Sequence, residues 1–152
     1  KAVELGAAEV VPVATRRCVV KLDAKKEEKK RVRWQSIAES AAKQSGRGII
    51  PEVSKVMSLK EAIAYAGELD RVLIPYELSD NMAESVRALQ EAANTESVGI
   101  FIGPEGGFER TEVEQVMEAG GQSISLGKRI LRTETAGLTT LSVLMFMIEG
   151  KE

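Results

Sequence analysis

Between Ser97 and Ala136 the chain reads SVGIFIGPEGGFERTEVEQVMEAGGQSISLGKRILRTETA, and this stretch leaves little freedom in how the domain can be built. Val98-Gly99-Ile100-Phe101-Ile102 is a short apolar run of the kind that makes a fully buried strand. It runs into Gly103-Pro104-Glu105-Gly106-Gly107. Pro104 fixes its own φ and pushes Gly103 toward extended geometry. Gly106 and Gly107 leave backbone amides uncovered, so another molecule can approach closely. Thr111 and Glu114 have capping-box spacing and predict a helix with Val113, Val116 and Met117 on its apolar face. Gly120-Gly121 ends that helix, and Ser123 to Leu126 alternates as a short strand. A second glycine turn, at Gly127, leads to a long apolar helix over Ala136 to Ile148. Two glycine turns, each leaving a strand for a helix, are expected side by side at one edge of a parallel sheet, where α/β sheets place their ligands.

The charges narrow the ligand. A phosphate cradle of the GxxxxGKS type offers amides and a Lys. This loop carries Glu105 and no Lys directly after it, so it would repel a phosphate. Backbone groups holding a neutral or cationic small molecule fit better, the alternative being a tight loop without a ligand. Arg129 and Arg132 across the second turn can meet a polyanion or lie solvated. The sequence contains no His and one Cys, which removes Ser-His-Asp and Cys-His mechanisms and the usual zinc sets. Proton transfer then falls to Glu, Asp, Lys or Tyr. Cys18 alone excludes an internal disulfide and fits a reducing cytosol. A net charge of −2 and a pI near 5.5 give no global basic field to draw in nucleic acid. The longest apolar run, Leu138 to Ile148, falls short of the roughly 20 residues a membrane span needs.

The remaining 96 positions before Ser97 are consistent with one α/β domain within the 152 residues. Lys1 to Gly6 reads as the tail of a helix ending on its C-cap glycine, in a chain expected to begin inside a larger protein. Glu9 to Ala14 is a strand interrupted by Pro12, and Cys18 to Leu22 a second extended piece. Asp23 caps a helix running to Gln44, with Trp34, Ile37, Ala38, Ala41 and Ala42 at helical spacing. Its basic run, Lys25 to Arg33, is a solvated face or an RNA contact. Arg47, in the turn that follows, is a candidate for a phosphate or base contact. Ile49 to Val53 is extended, and Ser58 caps a helix over Leu59 to Tyr65. Arg71 to Glu77 is a buried strand leading into a polar loop. A helix over Asn81 to Ala93 should turn Met82, Val86 and Leu89 inward. Strand–helix alternation at this spacing gives βαβ units and a parallel sheet.

Three segments that leave strands stand out: LIPYE at 73–77, IGPEGGF at 102–108 and LGKRILRTETA at 126–136. Together with KAVELG at the start and RWQSIAESAAKQSGR at 33–47, they resemble the bacterial RsmE family over essentially the whole chain. Its members are SPOUT-class methyltransferases acting on N3 of one uridine in 16S ribosomal RNA.

The resemblance implies a parallel sheet with helices on both faces and a C-terminal deep trefoil knot. It implies S-adenosylmethionine as cofactor, held by Leu73, Ile74, Pro75, Tyr76 and Glu77, then by Ile102, Gly103, Pro104, Glu105, Gly106 and Gly107. The third loop would add Leu126, Gly127, Arg129, Ile130, Leu131 and Thr135. It further implies a cytoplasmic homodimer acting on the small ribosomal subunit, with neither membrane nor metal. A sulfonium is cationic, so Glu105 is tolerable beside it. Arg132 is expected to stabilise negative charge on the uridine or to hold the target phosphate. Glu134 is either a base or hydrogen-bond acceptor, or a complement to the dipole of the helix it opens. Thr133 or Thr135 would cap that helix. RNA contacts are expected from Arg47, Arg129 and Arg132. The family's N-terminal PUA-like RNA-binding domain and the first strand of its catalytic domain have no counterpart in this sequence. Two rivals are a methyltransferase of the same fold acting on tRNA or a ribose 2′-hydroxyl, and a non-catalytic nucleotide-binding or dimerisation module.

Overall fold

The computed structural model describes residues 1–18 and 23–151, so most of the extended piece expected over Cys18 to Leu22 lies outside the described residues. The elements are β1 (Glu9–Val10), β2 (Val13–Ala14), α1 (Ala24–Gln44), β3 (Glu52–Val53), β4 (Met57–Ser58) and α2 (Leu59–Ala66). There follow β5 (Arg71–Pro75), α3 (Met82–Ala92), β6 (Val98–Ile100), α4 (Arg110–Glu118), β7 (Gln122–Ile124) and α5 (Thr133–Glu149).

Every strand pairing among the described residues is parallel. The single sheet expected from the alternation is divided, however. β1 pairs with β3, β2 pairs with β4, and β6-β5-β7 form a three-stranded sheet. Pro12 separates β1 from β2 because it has no N–H to give a ladder. Its carbonyl still accepts from the Met57 N–H at 2.9 Å.

β5 organises the core. Leu73 and Ile74 are both fully buried, and the pleat sends consecutive side chains to opposite faces. Leu73 meets Ala88, Leu89 and Ala92 of α3, Ile124 of β7 and Leu144 of α5. Ile74 meets Leu59, Ala62 and Ala66 of α2, Val113 and Val116 of α4, and Phe101 and Phe108. Helices therefore cover both faces of the sheet, α3 and α5 on one and α2 and α4 on the other. A third cluster, Val3, Ala38, Ala42 and Val53 with Trp34 against it, seats α1 on β3.

The starts of β5 and β6 are tied together by Asp70, whose carboxylate accepts from the N–H groups of Glu96 and Ser97 and from the Ser97 hydroxyl. Those bonds, the Ser97 hydroxyl foremost, hold the Asp70 carboxyl below its ordinary pKa.

Several helix ends follow the sequence. Asp23 accepts from the Lys26 N–H at 2.9 Å, Ser58 and Glu61 form a capping box, and Asn81 accepts from the Glu84 N–H at 3.1 Å. The N-terminal turn closes with Gly6 N–H on the Val3 carbonyl and Ala7 N–H on the Ala2 carbonyl, the Schellman pattern of a helix end, with Gly6 at φ 102°.

Other expectations are corrected. α4 begins at Arg110, not at a Thr111–Glu114 box. The Glu112 carboxylate accepts from the Glu109 N–H at 2.9 Å and, with its other oxygen, from the Arg16 N–H at 3.0 Å. That second bond spans 96 residues, so local spacing could not reveal it. Met117 is exposed, and Val113 and Val116 alone face inward from the expected trio. α3 is rotated from its expected setting. Met82 and Val86 are exposed, while Ser85, Ala88, Leu89 and Ala92 face the sheet. The small side chains let the helix approach closely, and the Ser85 hydroxyl finds acceptor and donor there. α5 buries Thr140 and Leu144 but leaves Phe146 80% exposed. Among the described residues, no helix is long and apolar enough to cross a membrane.

Candidate active site

Because β5 is the middle strand of its sheet, the loops after β6 and β7 flank its C-terminal end. The two glycine turns thus lie on either side of Pro75 to Glu77, rather than next to each other at one edge. All three segments converge on a single groove. Its walls are Pro75, Tyr76 and Glu77; Ile102, Gly103, Pro104, Gly107 and Phe108; every residue from Ser125 to Leu131; and Thr133 and Ala136 at the start of α5.

The loops are held by bonds between distant parts of the chain. Pro104 carries two of them on one carbonyl: the Gly107 N–H at 2.8 Å closes the turn, and the Thr133 hydroxyl at 3.0 Å pulls it toward α5. Phe108 packs behind Gly103 so closely that a Cβ there would stand 3.0 Å from its ring and 3.1 Å from its amide nitrogen. A larger residue at Gly103 would have to push Phe108 aside. Gly107 has φ 70°, the left-handed region that an L side chain rarely adopts.

On the opposite wall, the Ser85 hydroxyl accepts from the buried Ser125 N–H at 2.8 Å and donates to the Asn81 carbonyl at 2.8 Å. The Ser125 hydroxyl in turn accepts from the Gly127 N–H at 3.3 Å. Ser85→Ala would leave the Ser125 N–H buried without an acceptor, at a cost of about 1–3 kcal/mol. Thermal unfolding should show that loss, whereas Val86→Ala, at an exposed position of the same helix, should cost much less.

Among the described residues, the backbone N–H groups of Leu126, Ile130 and Leu131 meet no acceptor within the chain. All three residues line the groove, which so offers donors that a bound molecule can take up. The charged residues on the walls are Glu77, Lys128 and Arg129, all exposed. No cluster of His, Cys, Asp and Glu suited to a metal ion occurs among the described residues.

Not every residue expected in the site is there. Leu73 and Ile74 are core, fully buried beneath the groove. Glu105 is exposed and off the walls, so the charge argument built on its carboxylate loses its carrier. Gly106 also lies off the walls, its carbonyl turned to Arg17. Arg132, Glu134 and Thr135 are exposed and do not line the groove, yet they alternate along the chain with Leu131, Thr133 and Ala136, which do. Neither Arg132 nor Glu134 makes an ion pair among the described residues. Arg132 occupies the N-cap position of α5 without capping it through its side chain, and Glu134 sits in the first turn. Arg47 is far from this constellation in its contacts. Its guanidinium donates to the carbonyls of Val3 and Ala7 and so fastens the N-terminal turn to the end of α1.

Sequence reasoning omitted Phe108, Ser125, Thr133 and Ala136 from the wall, while Lys128 falls inside the expected segment Leu126 to Leu131. Thr133 is the instructive omission. It reads as a helix cap, but its hydroxyl bridges to a loop 29 residues earlier.

A three-loop groove at the strand ends of a parallel sheet is thus where this domain can hold a ligand. The family model for the RNA methyltransferase domain matches residues 1–145, and the chain belongs to that family. Among its relatives is the ribosomal RNA small subunit methyltransferase E of Bacillus subtilis, 40% identical over 98% of this chain and 59% of its own length. The chain thus spans somewhat more than half of that protein. Two solved structures are also similar. A Legionella pneumophila methyltransferase in complex with SAM superposes with a TM-score of 0.82 at 35% identity, covering 94% of this chain and 57% of that one. A ribosomal RNA small subunit methyltransferase E from Neisseria gonorrhoeae, bound to S-adenosylmethionine, gives 0.76 at 32% identity over 93% of this chain and 55% of that one.

Proposed function

We propose that this chain carries the site of an enzyme that transfers a methyl group from S-adenosylmethionine to N3 of a uridine in 16S ribosomal RNA. The observation that carries the reading is the convergence of three strand-end loops on one groove with mixed polar and apolar walls and open backbone N–H groups. Pro75 to Glu77, Ile102 to Pro104, Gly107 and Leu126 to Leu131 would hold the cofactor. When bound, it supplies an electrophilic methyl on a sulfonium.

The chain's own residues then have two tasks. The loops fix the angle of approach, which suits an in-line displacement whose barrier falls chiefly through positioning. Arg132 answers the negative charge that appears on the uracil ring when N3 loses its proton. A cation at the N-terminus of a helix opposes the helix dipole by about 0.3–1 kcal/mol, so stability gives no reason for an arginine there. Glu134 already has a structural reason, since an acidic first turn suits that dipole. It lies between the wall residues Thr133 and Ala136, which is the ground for keeping it as a candidate base.

The deep knot rests on the likeness to the family, and the structure adds only that the start of α5 lies against the earlier loop. Thr133 bonds to Pro104, and Gly137 lies so close to Ile102 that a Cβ would stand 3.4 Å from its side chain. Phe146 and Val143, exposed on the same helix, suit a seam with a second copy in a cytoplasmic homodimer.

Calorimetric titration with S-adenosylhomocysteine, against ATP as comparison, tests the reading. Binding of the first alone is expected, followed by a uridine-N3 mark when ribosomal RNA is supplied and the product mapped by mass spectrometry. Binding of ATP alone would mean a nucleotide module instead, and a mark on a ribose hydroxyl a different methyltransferase.

A further inference from the structure

Gly106 and Gly107 share a peptide unit that sterics do not fix. Neither neighbour carries a Cβ, so the unit can rotate with little penalty, and only hydrogen bonds set its plane. Two bonds grip its opposite ends. The Gly107 N–H donates inward to the Pro104 carbonyl at 2.8 Å. The Gly106 carbonyl points outward and accepts from Arg17 Nη1 at 2.8 Å. The stem of Arg17 also lies under this glycine, where a Cβ would meet two of its carbons at 3.5 Å.

Arg17 is itself held in place. Its Nε lies 4.0 Å from the Glu109 carboxylate, whose other oxygen takes Arg16 Nη1 at 3.2 Å. The Arg16 N–H reaches the buried Glu112 at the start of α4. The turn after β2 is thereby docked onto the segment that follows the glycine loop. Thr133 holds the loop from the groove side, and Arg17 holds it from outside.

From this arrangement we infer that Arg17 is a positioning residue for the ligand groove: it locks the Gly106–Gly107 peptide so that Gly107 presents a fixed wall. The inference rests on the methyltransferase reading for the identity of the ligand. Arg17 does not line the groove. Its effect passes through one carbonyl.

S-Adenosylhomocysteine titration of the unaltered chain, Arg17→Ala and Arg17→Lys tests it, with thermal unfolding of all three. Arg17→Ala should weaken binding about tenfold, equivalent to about 1.4 kcal/mol, while leaving the unfolding midpoint nearly unchanged because its side chain is half exposed. Arg17→Lys keeps a donor within reach of the Gly106 carbonyl and should recover most of the affinity. Unchanged affinity in Arg17→Ala overturns the assignment. So does a lowered midpoint that accounts for the whole loss and is not relieved by Lys, because that marks a merely structural contact. Should Arg17→Ala fail to fold, Arg17→Met decides instead, since it keeps the stem and loses the donor: about tenfold weaker binding at a near-normal midpoint supports the tether, and normal binding overturns it. A failure of the unaltered chain to bind would instead strike at the methyltransferase reading itself.

Discussion

Arg132→Ala is expected to lower methyl transfer by about a hundredfold or more while leaving S-adenosylhomocysteine affinity within about twofold. The separation follows from where the side chain stands. Arg132 is exposed, makes no ion pair among the described residues and does not cap α5, so its removal disturbs neither core nor groove wall. Its backbone carbonyl still accepts from the Ala136 N–H in the alanine variant. The missing charge is felt only where negative charge develops on the substrate. Single-turnover rates with ribosomal RNA, beside calorimetry with the cofactor product, check both halves. Parallel loss of rate and affinity would falsify the assignment to the substrate side. Arg132→Lys should fall between the two, since it keeps the charge and loses the planar fork that matches a carbonyl and its neighbour.

Leu73→Ala should have the largest effect on stability, about 2–5 kcal/mol. Leu73 is fully buried at the centre of the middle strand, between α3 and α5. Those helices are anchored to separate strands and loops, so they can collapse only partly onto the space left. For a domain whose whole stability is about 5–15 kcal/mol, this is a large fraction, and denaturant unfolding should show a clearly lower midpoint. At low temperature the folded variant should still bind S-adenosylhomocysteine nearly as well. A direct contact with the ligand would instead show as weakened binding without comparable unfolding. The experiment thus separates a wall residue from the floor that supports it.

Leu73 also shows what the sequence could reveal. Apolar runs flanked by glycine turns marked the strands β5 and β6 and the loops beyond them, because burial and backbone freedom are local properties. The same runs could not say where core ends and wall begins. That boundary lies between Ile74 and Pro75, and the neighbouring strands and helices draw it. Glu105 carried an argument about ligand charge, yet its side chain leaves the turn on the solvent side. Asp23 and Ser58 were legible as caps because each bond spans three residues. Glu112, Ser85 and Thr133 were not, because their partners lie 96, 40 and 29 residues away. Arg47 looked free in a glycine-flanked turn, and its acceptors are the carbonyls of Val3 and Ala7, 44 and 40 residues earlier. Side chains that fasten loops to distant backbone were the recurrent blind spot.

The exclusively parallel pairing has a consequence for how this protein comes into being. A parallel pair cannot be closed by a short hairpin, so no two of these strands can zip together as neighbours on the chain. Helices can form early, while strand pairing waits on long loop closures and makes assembly slow. β5 and β6 can join first, because β7 and α5 come later along the chain. The third loop and Thr133 belong to that later portion. A chain lacking β7 and α5 would therefore have neither the third loop nor the Thr133 tie, and its central strand would lie unpaired along one edge.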